Sequence, residues 1–150
     1  MDTLREPRIM ELWVRGTPRP QGSKRAFALP NGRISMAEMS KKLPAWRSDV
    51  RTAALAVEGY EPLTGPVQLT ANFVFERPKS HWGTGKNIDK LKPDSPTWVT
   101  KMPDLSKLVR GIEDALEGVL YVNDSQVVQL LSQKSFGPTA GVWIKVMEVL

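Results

Sequence analysis

The chain contains no cysteine and a single histidine in 150 residues. Lack of cysteine rules out disulfides, a thiol nucleophile and thiolate metal sites. A reducing compartment suits such a chain. No apolar run approaches the roughly 20 residues that a bilayer-spanning helix needs. The opening residues, Met1-Asp-Thr-Leu-Arg-Glu-Pro, carry no apolar signal core. A cytoplasmic protein with no membrane association is therefore expected. The lone histidine, His81, lies in a polar stretch and reads as a surface residue. Repeats, low-complexity tracts and internal boundaries are also missing, so residues 1–150 read as one domain.

What is present is ordinary for a globular protein: 41% hydrophobic and 25% charged residues. A domain of this length buries a real core without disulfide staples. Twelve prolines and eleven glycines imply several ordered loops. The net charge of +5 draws anionic partners. By itself it does not single out nucleic acid.

The periodicities give an α+β chain. Arg8 to Arg15 reads as a strand, followed by the basic, proline-rich loop Thr17-Pro-Arg-Pro-Gln-Gly-Ser-Lys-Arg25. Ala26 to Ile34 reads as a hairpin turning at Asn31-Gly32. Trp46, Val50, Ala53, Ala54 and Val57 make one stripe of a helix from Pro44 to Glu58. Val67 to Phe75 alternates as a strand. Lys79 to Thr100 follows neither period, and loops of that length are functional or disordered. Leu105, Leu108, Val109, Ile112, Ala115 and Leu116 predict a strongly amphipathic helix over Asp104 to Glu117, with Gly118 as its stop. Ser125 to Ser135 and Gly141 to Val149 read as closing strands. Trp46 and Trp143 are assigned to the core.

The stretch from Met102 to Asp124 is the richest chemically. Asp104 opens the amphipathic helix, and Asp124 sits on the turn beyond it. Lys107, Arg110 and Asp114 share the polar face, being three and seven residues apart. Carboxylates hold magnesium, and cations hold phosphate. As an isolated sequence, Asp104 after a proline is also an ordinary N-cap. Asp124 is equally an ordinary turn residue, and the charged face an ordinary solvated one.

The order of these pieces resembles the RusA family of Holliday-junction resolvases, small dimeric endonucleases of bacteria and their phages. The resemblance runs through Thr17-Pro-Arg-Pro-Gln-Gly-Ser-Lys, Pro62-Leu-Thr-Gly-Pro-Val-Gln-Leu and Phe75-Glu-Arg-Pro-Lys-Ser. It is strongest at Lys101-Met-Pro-Asp-Leu-Ser-Lys-Leu-Val-Arg, Glu113-Asp-Ala-Leu and Val122-Asn-Asp-Ser-Gln-Val-Val. The resemblance implies a mixed sheet with two principal helices. It also implies a magnesium-dependent endonuclease, with manganese as the alternative ion, that resolves four-way junctions by paired cuts as a homodimer. It makes Asp104 and Asp124 the metal ligands and places Arg110 where the family carries a catalytic lysine. Asp114 matches the Asp-Ala-Leu aspartate, and Lys107 is a supporting residue.

Two positions depart from the family pattern. Ser106 replaces the second aspartate of Asp-Leu-Asp, and Asn123 replaces the first of Asp-Asp. A serine hydroxyl is a weaker ligand for a hard cation, which raises an alternative: a junction-binding protein that has lost cleavage. A basic protein-interaction module without a DNA role is the third reading. By angle Glu113 is a stand-in for the missing carboxylate, but about 10 Å of helix rise separates it from Ser106. Arginine stays charged at neutral pH, so Arg110 fits electrostatic stabilisation rather than proton donation. Arg19, Lys24, Arg25, Lys79, Lys86, Lys90 and Lys92 are the expected DNA-backbone contacts.

Overall fold

The computed structural model describes residues 5–22 and 42–150. The hairpin expected at Ala26 to Ile34 lies outside the described residues, as do Lys24 and Arg25. Among the described residues, four strands and two helices make the expected α+β domain. They are β1 (Ile9–Arg15), α1 (Leu43–Leu55), β2 (Val67–Glu76), α2 (Leu105–Leu116), β3 (Val127–Gly137) and β4 (Gly141–Glu148). The sheet order is β1-β4-β2-β3. β4 runs antiparallel to both β1 and β2, while β2 and β3 are parallel. A parallel pair needs a crossover between its strands, and α2 lies within that crossover.

Alternation decides what each strand buries. Val67, Leu69, Ala71 and Phe73 of β2 are sealed beneath the helices with Val142, Ile144 and Val146 of β4. From α2 come Leu108, Val109, Ile112, Ala115 and Leu116, and from α1 Leu43, Trp46, Val50 and Ala54. Fully burying one such aliphatic side chain contributes about 1.5–3 kcal/mol. The opposite sheet face carries Trp13 directly across from Trp143. Trp143 is therefore half-buried on the outer face, with Lys145 Nζ 5.9 Å from its ring centre, and not in the core as expected.

Element ends also moved. α1 stops at Leu55, three residues earlier than expected, with Ala56 as C-cap. Asp124–Gln126 is a short 3-10 turn, so β3 starts later than Ser125. The register of β2 on β3 then slips, Val67 facing Val127 and Gln68 facing Gln129. Val128 is the extra residue of this bulge, which turns Leu130 and Ser132 toward α2. Gly118 has φ 76° just past the helix, the left-handed stop that glycine tolerates best.

The segment from Lys79 to Thr100 is folded, with 3-10 turns at Lys79–His81 and Gly85–Asn87. Trp82 pairs with Leu91, and Trp98 with Ser135 of β3. His81 is half-buried rather than a plain surface residue, its ring edge-on to Phe136 with centroids 4.8 Å apart.

Candidate active site

The exposed flank of α2 and the bulged end of β3 form the walls of a cleft of about 690 Å³. Leu105, Ser106, Val109, Arg110, Glu113, Asp114, Asp124, Leu130 and Ser132 line it. Asp124 enters from the turn between α2 and β3, and that turn is firmly built. Asn123 Oδ1 accepts from Ser125 N at 2.9 Å, and Gln126 Oε1 accepts from Asn123 N at 2.8 Å. This is a reciprocal capping box. Gln126 Oε1 also takes the Val122 N–H at 2.8 Å. Its Nε2 donates to Leu63 O at 2.9 Å and Gly65 O at 2.8 Å. Asn123 thus acts as a cap, a task that asparagine and aspartate perform alike.

Carboxylate oxygens of Asp114, Glu117 and Asp124 lie within 4.8 Å of one another. Asp114 and Glu117 are three residues apart and share one helix face. Glu117 Oε1 accepts from the Asp124 backbone N–H at 3.4 Å, tying the turn to the end of α2. Glu113 stands beside this group. Burial chiefly holds its carboxyl above the usual range; Asp124 and Asp114 add to the rise, and Arg110 opposes it. Tyr121 is fully buried, and its hydroxyl donates to Glu113 O at 2.9 Å. Burial, then the charges of Glu113, Asp124, Glu117 and Asp114, push its pKa far up. It stays neutral and props the last turn of α2.

The sequence-based residues divide. Ser106, Arg110, Asp114 and Asp124 meet in the cleft. Asp104 neither lines that cleft nor belongs to the carboxylate group. It occupies the N-cap position of α2 without a side-chain cap bond. Its carboxylate faces Lys107 Nζ at 3.6 Å. Lys107 is thereby turned to Asp104 and is absent from the cleft lining. Arg19 is half-buried in the strap of residues 17–22. Lys79, Lys86, Lys90 and Lys92 are exposed, and among the described residues none of the four is in an ion pair.

Sequence reasoning passed over Glu117 as a partner of Asp124, read Arg47 as part of a solvated helix face, and gave Gln21 no role of its own. The three-residue spacing of Asp114 and Glu117 was a usable signal. Gln21 had none, because its place depends on how the strap crosses the helices. Gly16 permits that crossing: it has φ 141°, and a Cβ there would sit 3.2 Å from the Trp46 ring.

Comparison with known proteins gives the family. A family model described as Endodeoxyribonuclease RusA matches residues 15–147. An uncharacterised Bacillus subtilis protein, YqaN, is 30% identical over 139 residues, covering 91% of this chain and 94% of its own.

Proposed function

Because this chain belongs to the RusA endodeoxyribonuclease family, we propose that it hydrolyses four-way DNA junctions by paired, divalent-metal-dependent cuts. The observation that carries this is the convergence of Asp114, Glu117 and Asp124 beside Arg110 in one open cleft. Three carboxylates supply hard oxygen donors, which fit magnesium, or manganese as the alternative. They would hold the ion, with Asp104 brought in only by movement of the start of α2. When bound, such an ion polarises a phosphodiester and lowers the pKa of the attacking water.

The chain's own groups do the rest. Arg110, exposed on the cleft wall, offers a permanent positive charge to the phosphate as negative charge develops on it. Ser106 lines the same space, and so does Ser132, whose hydroxyl donates to Ala71 O at 2.6 Å. Lys79, Lys86, Lys90 and Lys92, with Arg19, Lys24 and Arg25, contact the DNA backbone. Each phosphate neutralised adds about 0.9 to the salt slope of duplex binding.

Two symmetric strands are cut in a junction, so a two-fold homodimer matches the substrate. Thr97 to Val99 bonds along β3 at residues 134–136. Toward its start, β3 is the outer strand and exposes Val128, Leu130 and Leu131. Such an edge is suited to pairing with a second copy. No helix among the described residues is long and apolar enough to cross a membrane. The reading places the protein in the cytoplasm of a bacterial or phage-infected cell.

A labelled four-way junction incubated with the protein tests the proposal. Symmetric nicks that require magnesium support it, and no preference for junction over duplex at any salt overturns it. The second reading, binding without cleavage, is favoured by Ser106 standing in the cleft where the family has a carboxylate. Tight junction retention without nicks would establish it. Ser106→Asp then distinguishes the two. In an active enzyme it lowers the magnesium concentration needed, and in a junction binder it restores nicking.

A further inference from the structure

Asp114, which lines the cleft, is gripped from outside it. Gln21 Nε2 donates to Asp114 Oδ2. The other end of the same amide, Oε1, accepts from Arg47 Nη1 at 3.0 Å. Arg47 Nη1 also lies 3.9 Å from Asp114 Oδ2. The strap, α1 and α2 therefore meet at one carboxylate oxygen, and that carboxylate belongs to the group formed with Glu117 and Asp124.

We infer that Gln21 and Arg47 are positioning residues that hold the Asp114 carboxylate in register with Glu117 and Asp124. The inference rests on the metal-site reading above. Three like charges within 4.8 Å repel one another, and a free aspartate side chain would rotate away. A guanidinium nearby offsets part of that repulsion, and an amide hydrogen bond fixes the rotamer. Glutamine is suited to the middle of this chain because its amide donates at one end and accepts at the other. A glutamate there has no donor for Asp114, and a lysine has no acceptor for Arg47.

Gln21 is also delivered by a fixed backbone. Its N–H donates to Lys107 O in α2 at 2.9 Å. The strap passes over buried Gly111, where a Cβ would touch Arg19 O at 3.4 Å and Gln21 Cβ at 3.8 Å. The amide is therefore aimed at Asp114 from a docked segment. A group that orients a metal-binding carboxylate from outside typically controls metal affinity or activity by about 10–100-fold.

A purely mechanical staple between strap and helices would leave metal affinity unchanged, and the test uses that difference. Manganese is titrated into the DNA-free full chain, and bound ion is read from loss of the free Mn²⁺ paramagnetic resonance signal. Wild type is compared with Gln21→Met, Gln21→Glu and Arg47→Lys. Junction affinity in chelator and thermal midpoints are recorded alongside. The expected result is manganese affinity at least about tenfold weaker in Gln21→Met, weaker still in Gln21→Glu, with junction affinity in chelator unaltered. Arg47→Lys, which keeps the charge but loses the fork, should fall between wild type and Gln21→Met. It answers the question alone should the Gln21 variants not fold. Unchanged manganese affinity in any folded variant of the set overturns the inference while leaving the nuclease reading intact. A wild type that binds no manganese overturns both.

Discussion

Two acid-bearing segments flank α2, and they are built differently. The turn from Val122 to Gln126 fixes Asp124 through a capping box and two further hydrogen bonds to the Leu63–Gly65 loop. At the other end, Asp104 has one ion pair among the described residues, to Lys107, with side-chain exposures of 58% and 48%. Such a pair contributes about 0–1 kcal/mol. Both aspartates match the family motif, yet only Asp124 is presented to the cleft by bonded backbone. Residue type says that a carboxylate is available, whereas local hydrogen bonding says where it points.

The strongest way to break this comparison is to remove each carboxylate in turn. Asp124→Asn should reduce junction nicking by roughly 100- to 1000-fold, the scale of losing one preorganised electrostatic group. Asp104→Asn should cost at least tenfold less in the same gel assay. Equal losses would show that substrate binding draws both aspartates into one site. Next comes the scaffold of the turn. Gln126→Ala removes four hydrogen bonds, two at each end of the amide, three of them exposed and one part-buried. It should destabilise by about 1–3 kcal/mol in urea unfolding, given roughly 0.5–1.5 kcal/mol per bond and solvent compensation. Asn123→Asp should stay within about 0.5 kcal/mol, since both residues cap equally well.

The smallest effect concerns Glu113. Its folded pKa is raised, so the protonated form is the one the fold favours. Ionisation then opposes folding as pH climbs above the unfolded value, about 4.3. Glu113→Gln should therefore be slightly more stable than wild type at pH 7. The gain should vanish near pH 4. A constant difference across that range would mean that burial of the charge is not the cause.

Much of this was legible in the sequence. The α2 arc of Leu108, Val109, Ile112, Ala115 and Leu116 is buried as its 3.6-residue period requires. The alternation in β2 and β4 survives because one face of each strand is covered and the other is not. The misplacements share one origin. Trp143 was assigned by residue type, although its strand parity puts it opposite Val142 and Ile144. Gln126 looked like strand and is the keystone of a turn. Glu117 was read only as the last residue of the helix, which ignores where the chain returns after Gly118. Gln21 and Arg47 depend wholly on tertiary crossing, and no local period encodes that. The alternative of Asp104 as an ordinary N-cap also missed its side chain, which turns to Lys107 rather than to the backbone.

A crystal soaked in manganese, with anomalous scattering measured at the metal edge, tests the central claim most directly. A single peak enclosed by the Asp114, Glu117 and Asp124 oxygens is the predicted result. A peak held instead between Asp104 and Ser106, with Glu117 remote from it, would contradict the account.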